Sequence, residues 1–142
     1  MKSIERFSSR VDSYVKFRPS YPDAAITYLA GQFDSPSAVV CADFGSGTGI
    51  LSGLLAKSFA QVFGIEPNQQ MRAAAEHNLQ HLTNFISVNG TAEFSGLPGQ
   101  TVDIVTAAQA FHWFDQAKFK QECRRIIKPG GFVALIWNNR LT

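Results

Sequence analysis

The sequence predicts an α/β protein, a doubly wound parallel sheet of five strands with helices on both faces, preceded by N-terminal helices. Three observations carry that reading. Short apolar runs alternate with stretches whose apolar residues recur at helical spacing, the mark of repeated strand–helix units. At the first hand-over from strand to helix stands Ala42-Asp43-Phe44-Gly45-Ser46-Gly47-Thr48-Gly49, where glycine's missing Cβ lets a ligand approach the main chain and its N–H groups. The following strand, 60 to 65, ends in Glu66. That acid stands about 20 residues past the glycines, where nucleotide-binding α/β folds place a carboxylate with two acceptor oxygens for two ribose hydroxyls.

Each element follows from its own pattern. Residues 4 to 17 place Ile4, Phe7, Val11, Tyr14 and Val15 on one helical face, which predicts an amphipathic helix. Pro19 and Pro22 then enforce an extended passage. Ser20 and Asp23 have capping-box spacing for a second helix carrying Ile26, Leu29, Ala30 and Phe33 inward, and 34 to 37 is a turn. Beyond it the prediction runs strand 38–44, helix 49–58, strand 60–65 and helix 68–79, the last capped by Asn68 with Met71, Ala75, Leu79 and Leu82 as its stripe. A third strand, 85–89, precedes a polar loop holding Thr91-Ala92-Glu93, and a fourth spans 102–107. After the aromatic run 111–114, a helix from Asp115 turns Phe119, Cys123, Ile126 and Ile127 to the sheet. Lys128-Pro129-Gly130-Gly131 reads as a hard turn before a fifth strand, 132–137. Residues 1–37 form the N-terminal part and 38–142 the core domain.

Composition narrows the function classes. The 142 residues, 45% hydrophobic and 12% aromatic, suit one globular domain with a real core. No stretch approaches the roughly 18 apolar residues of a membrane span, and the N-terminus lacks a signal-peptide core, which points to a cytoplasmic protein away from membranes. A formal charge of +2 from scattered Lys and Arg argues against a nucleic-acid partner. Cys41 and Cys123 sit in apolar patterns as small hydrophobes. His77 and His81 stand four apart without a glutamate base or a third ligand, so no metal is expected.

The turn discriminates among nucleotide ligands. Dinucleotide sites usually run Gly-x-Gly-x-x-Gly or Ala, yet the last position here is Ile50, and the glycines end at Gly49. Asp43 just ahead of them suits a ligand bearing an ammonium or sulfonium cation and would repel a pyrophosphate. Three readings stay open: a methyl-transferring core that uses a sulfonium cofactor, a non-catalytic cofactor-binding remnant, and a nicotinamide-dependent oxidoreductase domain.

Five ordered segments, Asp43 to Gly49, Gly64-Ile65-Glu66-Pro67-Asn68 with Met71, Gly90-Thr91-Ala92-Glu93 with Leu97-Pro98, Ala110 to Phe114, and Ile127 to Gly131, span most of the chain. Together they resemble the class I S-adenosylmethionine-dependent methyltransferases, and among them the small-molecule branch with trans-aconitate methyltransferase-like proteins. The resemblance implies a Rossmann-like fold, S-adenosyl-L-methionine as cofactor, and methyl transfer to a small-molecule acceptor. It would place Gly45, Ser46, Gly47 and Thr48 along the methionine part, Glu66 on the ribose hydroxyls, Pro67 and Met71 on adenine, and Thr91, Ala92 and Glu93 at the base's edge. Many relatives carry Asp at the Thr91 position. Gln109 joins the cofactor-binding set, and Tyr14 with Arg18 looks like an N-terminal lid whose guanidinium can pair with the cofactor carboxylate. Methyl transfer from a sulfonium is an in-line displacement that needs no general base, so no catalytic residue is assigned.

Members of that family continue for on the order of 100 residues past the fifth strand, with two more strands and much of the acceptor pocket. The expectation is therefore a fifth strand with an exposed apolar edge, self-association or a homodimer through it, and weak methyl transfer by these residues alone.

Overall fold

The computed structural model describes residues 4–7, 14–17, 22–108 and 114–136. Among them the five expected strands are present as β3 (Val40–Phe44), β4 (Gln61–Ile65), β5 (Phe85–Val88), β6 (Val102–Ala108) and β7 (Ile127–Ile136). Two short strands precede them, β1 (Ile4–Phe7) and β2 (Tyr14–Phe17). The helices are α1 (Pro22–Ala30), α2 (Ile50–Ser58), α3 (Gln69–Asn78) and α4 (Gln116–Ile126). Strand order is β1-β2-β7-β6-β3-β4-β5, parallel throughout except for the antiparallel β1–β2 pair.

The chain winds outward from β3 in both directions, to β4 and β5 on one side and to β6 and β7 on the other. That reversal opens a crevice at the carboxyl ends of β3 and β6, where open α/β sheets bind ligands. Alternation along each strand feeds two cores. Phe44, Val105, Val133 and Leu135 pack with Phe119, Cys123 and Ile126 of α4 on one face. Cys41, Ile104, Phe132 and Ala134 pack with Leu29 of α1 and Leu55 of α2 on the other. Both faces are covered, which is why these strands read as nearly continuous apolar runs.

The N-terminal helix expected over 4–17 is not what forms. Its described residues are strands, and β2 pairs with β7 from Tyr14↔Val133 to Phe17↔Ile136. Tyr14-Val15-Lys16-Phe17 is rich in aromatic and β-branched residues, and as a strand its main chain satisfies the outer edge of β7. The bare fifth-strand edge is corrected by the same pairing, and the expected self-association through that edge loses its basis.

Where a turn was expected at 128–131, β7 extends back to Ile127, but these four residues stand between its pairs Ile127↔Val102 and Phe132↔Ile104 as an irregularity, and regular pairing to β6 runs from Phe132. Gly130 takes φ 88° in this stretch. A Cβ on Gly131 would lie 2.5 Å from the Asp103 carbonyl oxygen, so glycine is what lets the two strands close up there. Asn68 caps α3 as expected by accepting from the Met71 N–H, and Asp115, where the last helix was expected to start, caps α4 by accepting from the Lys118 N–H. Ser20, the expected cap of α1, lies outside the described residues.

Candidate functional site

The crevice is floored by the glycine turn between β3 and α2. Gly45, Gly47 and Gly49 all have positive φ, at 68°, 58° and 91°, a conformation that other residues adopt only under strain. A Cβ on Gly49 would stand 2.8 Å from Leu79 Cδ1, so this glycine also lets α2 start close against α3. Gly47 differs: among the described residues outside its own chain neighbours, a Cβ there would come within 4 Å of the Met71 sulfur only, at 3.9 Å, so the side-chain position of this glycine is nearly open.

Contrary to the expectation that the turn's N–H groups face the ligand, most find acceptors inside the chain. Gly45 N and Ser46 N both donate to the Ile65 carbonyl, at 2.8 and 3.2 Å, and Gly49 N donates to Ser46 O at 3.0 Å. The turn is thereby sewn to the end of β4 and is no anion nest. Gly47 N donates to Glu66 Oε1 at 2.8 Å, and Asn68 N donates to Glu66 Oε2 at 3.0 Å. Glu66 is 7% exposed, yet each of its oxygens carries a second lone pair beyond the main-chain N–H it accepts. Its position over Gly47 suits a donor pair such as vicinal hydroxyls.

Beneath the turn lies Asp43, 2% exposed. Ser52 Oγ of α2 donates to its Oδ2 at 2.7 Å, and Thr106 Oγ1 of β6 donates to its Oδ1 at 2.9 Å. The acid read from sequence as facing the mouth is instead a buried tie among β3, α2 and β6. Burial pushes its carboxyl up to about 6, hydrogen bonds from Ser52 and Thr106 pull the other way, and the Glu66 charge adds a further upward push.

The remaining expected residues fall into three groups. Pro67 and Met71 are exposed next to Glu66, with Met71 45% open. Ser46 is half-buried and Thr48 exposed on the turn. On the loop after β5, Thr91 Oγ1 accepts from Phe94 N at 3.0 Å, Ala92 is buried, and Glu93 Oε2 accepts from Asp115 N at 2.8 Å. Glu93 thus ties its loop to the start of α4, a connection invisible in the sequence. Tyr14 enters the sheet through β2, but its side chain, like Arg18, Gln109 and the aromatic residues 111–113, lies outside the described residues. Among the described residues no cluster of His, Cys, Asp or Glu could hold a metal ion.

Two supports were missed at the sequence level. Arg72, one residue past Met71 on α3, donates from Nη1 to Glu66 O at 3.0 Å, Pro67 O at 2.8 Å and Asn89 Oδ1 at 3.1 Å. Glu122 of α4, 5% exposed, accepts from Ser95 N at 2.9 Å and Ser95 Oγ at 2.6 Å, and so pins the loop that carries Thr91 to Glu93. Burial pushes the Glu122 carboxyl up, but the hydrogen bonds from Arg125 and Ser95 outweigh it and hold the group below its ordinary range. Neither residue belongs to a recognisable motif, because the main-chain atoms and the Asn89 and Ser95 side chains that they bind are brought near by the fold.

A model of a family described as methyltransferase domain matches residues 42–135, from within β3 to within β7. The chain belongs to that family. This methyltransferase domain is 37% identical over 138 residues to an uncharacterised methyltransferase of Mycobacterium tuberculosis, covering 94% of this chain and 52% of the relative. It is 29% identical over 126 residues to a protein of Saccharomyces cerevisiae named a probable S-adenosylmethionine-dependent methyltransferase, covering 85% and 43%. The solved structure of a candidate type II methyltransferase from Anaeromyxobacter dehalogenans superposes with a TM-score of 0.69 at 37% identity, over 83% of this chain and 48% of that one. The methyltransferase domain here therefore spans about half the length of the relatives it matches. Among the described residues no helix is long and apolar enough to cross a membrane.

Proposed function

We propose that this domain binds S-adenosyl-L-methionine in the crevice at the carboxyl ends of β3, β4 and β6, and forms the core of an enzyme that methylates a small-molecule acceptor. The observation that carries the reading is the Glu66 carboxylate held over Gly47, 2.8 Å from its N–H, beside a turn whose Gly45 and Ser46 N–H groups already bind Ile65 O. A pyrophosphate needs open N–H donors and positive surroundings. The acidic group that faces this turn is the Glu66 carboxylate, which suits a ligand with ribose hydroxyls, while Asp43 holds the turn from beneath.

When bound, the cofactor supplies an electrophilic methyl group on a sulfonium centre. In this reading Glu66 accepts the ribose hydroxyls, and Pro67 and Met71 pack on adenine beside the open space above Gly47. Gly45, Ser46, Gly47 and Thr48 follow the methionine part, with Tyr14, Arg18 and Gln109 completing that end. Thr91, Ala92 and Glu93 border the base on a loop fixed by Glu93 to Asp115 and by Ser95 to Glu122. Rate would come from holding the two reacting atoms in line rather than from a proton-transfer residue. The scattered charge favours a small acceptor over nucleic acid, and the absence of a long apolar run in the sequence favours work in the cytoplasm.

Titration calorimetry with S-adenosyl-L-methionine, S-adenosylhomocysteine and NAD tests this directly. The first two should bind and NAD should not. Glu66→Ala should weaken S-adenosylhomocysteine by about 1.5–3 kcal/mol, as expected for charge-assisted hydrogen bonds to a carboxylate. Heat from NAD alone would overturn the reading.

A further inference from the structure

We infer that Arg72 is a positioning residue for the nucleoside half of the cofactor site, an inference that rests on the proposed binding of S-adenosyl-L-methionine. Its guanidinium never needs to touch the ligand. From α3 it reaches across the end of β4, where one nitrogen shares its two N–H bonds among Glu66 O at 3.0 Å, Pro67 O at 2.8 Å and Asn89 Oδ1 at 3.1 Å. Glu66 and Pro67 are the two residues assigned to ribose and adenine, and Asn89 directly follows β5.

Glu66 and Pro67 lie past the last residue of β4, and their carbonyls need a donor from outside the strand ladder to bind them. Arg72 supplies that binding for two consecutive carbonyls. By fixing them it fixes the direction in which the Glu66 side chain leaves the strand. The opposite end of that side chain is held by Gly47 N and Asn68 N. Glu66 is therefore clamped at both its main chain and its carboxylate, with its oxygens set before a ligand arrives. All three contacts fall on Nη1, whose two N–H bonds are held in the rigid guanidinium plane, whereas a lysine ammonium would be a mobile point charge. α3 brings the arginine to the spot: Asn68 caps the helix through the Met71 N–H and accepts the Arg72 N–H through its carbonyl at 2.9 Å.

The test compares wild type, Arg72→Ala and Arg72→Lys as full-length chains. Each is checked for fold by circular dichroism and titrated with S-adenosylhomocysteine and with its 2′-deoxyribose analogue. Wild type should prefer the hydroxylated ligand. Arg72→Ala should raise the Kd for S-adenosylhomocysteine about 10-fold while barely changing that of the deoxy analogue, which compresses the preference; Arg72→Lys should recover part of the loss. In a Glu66→Ala background, Arg72→Ala should add little, since the arginine acts through that carboxylate. A merely structural arginine would weaken both ligands alike and would add its full effect to Glu66→Ala, and that pattern overturns the inference. Normal binding by Arg72→Ala overturns it as well and leaves the proposed function standing. Failure of wild type to bind S-adenosylhomocysteine overturns both.

Discussion

Replacing Asp43 with Asn should change the way stability depends on pH. The carboxyl is buried beneath the glycine turn, and its ionisation midpoint is raised from 3.8 to about 6, chiefly by burial. Between those two values the folded chain holds a proton that the unfolded chain has released, so stability falls as pH rises through the interval. Below about pH 4 the group is neutral in both states and the penalty is absent; above about pH 6 it is complete. A shift of about two units at 1.36 kcal/mol per unit makes that penalty roughly 3 kcal/mol. Asp43→Asn removes the titration altogether. Its single amide oxygen can satisfy one of the two hydroxyls now donated by Ser52 and Thr106, which costs about 1 kcal/mol at every pH. The variant should thus be slightly less stable than wild type near pH 4 and more stable by about 2 kcal/mol near pH 7.5. Urea unfolding across that range, plotted as the difference between variant and wild type, is the assay. A difference independent of pH, or one complete below about pH 4, would refute the argument that burial governs this carboxyl.

Gly47→Val should abolish S-adenosylhomocysteine binding while the circular dichroism spectrum stays near that of wild type. A β-branched residue is strained at φ 58° and would fill the space now bounded by the Met71 sulfur. Normal binding by this variant would make the turn a mere connection. Glu122→Ala should lower unfolding stability by about 2–3 kcal/mol, since Ser95 would lose the acceptor for both its N–H and its hydroxyl in a buried place. Urea denaturation would show it, and a loss under about 0.5 kcal/mol would mean that the 91–95 loop does not depend on α4.

Which parts of this molecule could be read from its sequence depends on whether the governing contacts are local. Strands β3 to β7 were visible because a parallel strand covered on both faces is apolar nearly throughout, and such short runs alternate with stretches of helical spacing. Asn68 and Asp115 announced α3 and α4 because an N-cap acts within three residues of itself. The stretch from 4 to 17 misled for the converse reason. Ile4, Phe7, Val11, Tyr14 and Val15 satisfy helical spacing, but what decides their state is the edge of β7, far down the chain, with which Tyr14 to Phe17 pair. Lys128 to Gly131 were legible in part: Pro-Gly-Gly has turn chemistry, and these residues interrupt the pairing between β6 and β7 without ending β7.

The same distinction sorts the site. The meeting of Gly47 and Glu66 was legible because particular residue types stand at a particular separation, and the fold brings the two to 2.8 Å. Asp43 was found but given the wrong surroundings, since its hydroxyl partners Ser52 and Thr106 stand on α2 and β6 with no signature of their own. Arg72 and Glu122 escaped for a deeper reason, as did the tie between Glu93 and the Asp115 N–H. Their partners include main-chain groups, which every residue possesses and no sequence pattern marks, and the side chains of Asn89 and Ser95 on other segments. A charged side chain that binds backbone is indistinguishable in sequence from one that faces water, so the residues that hold a site in shape are the ones a motif-based reading passes over.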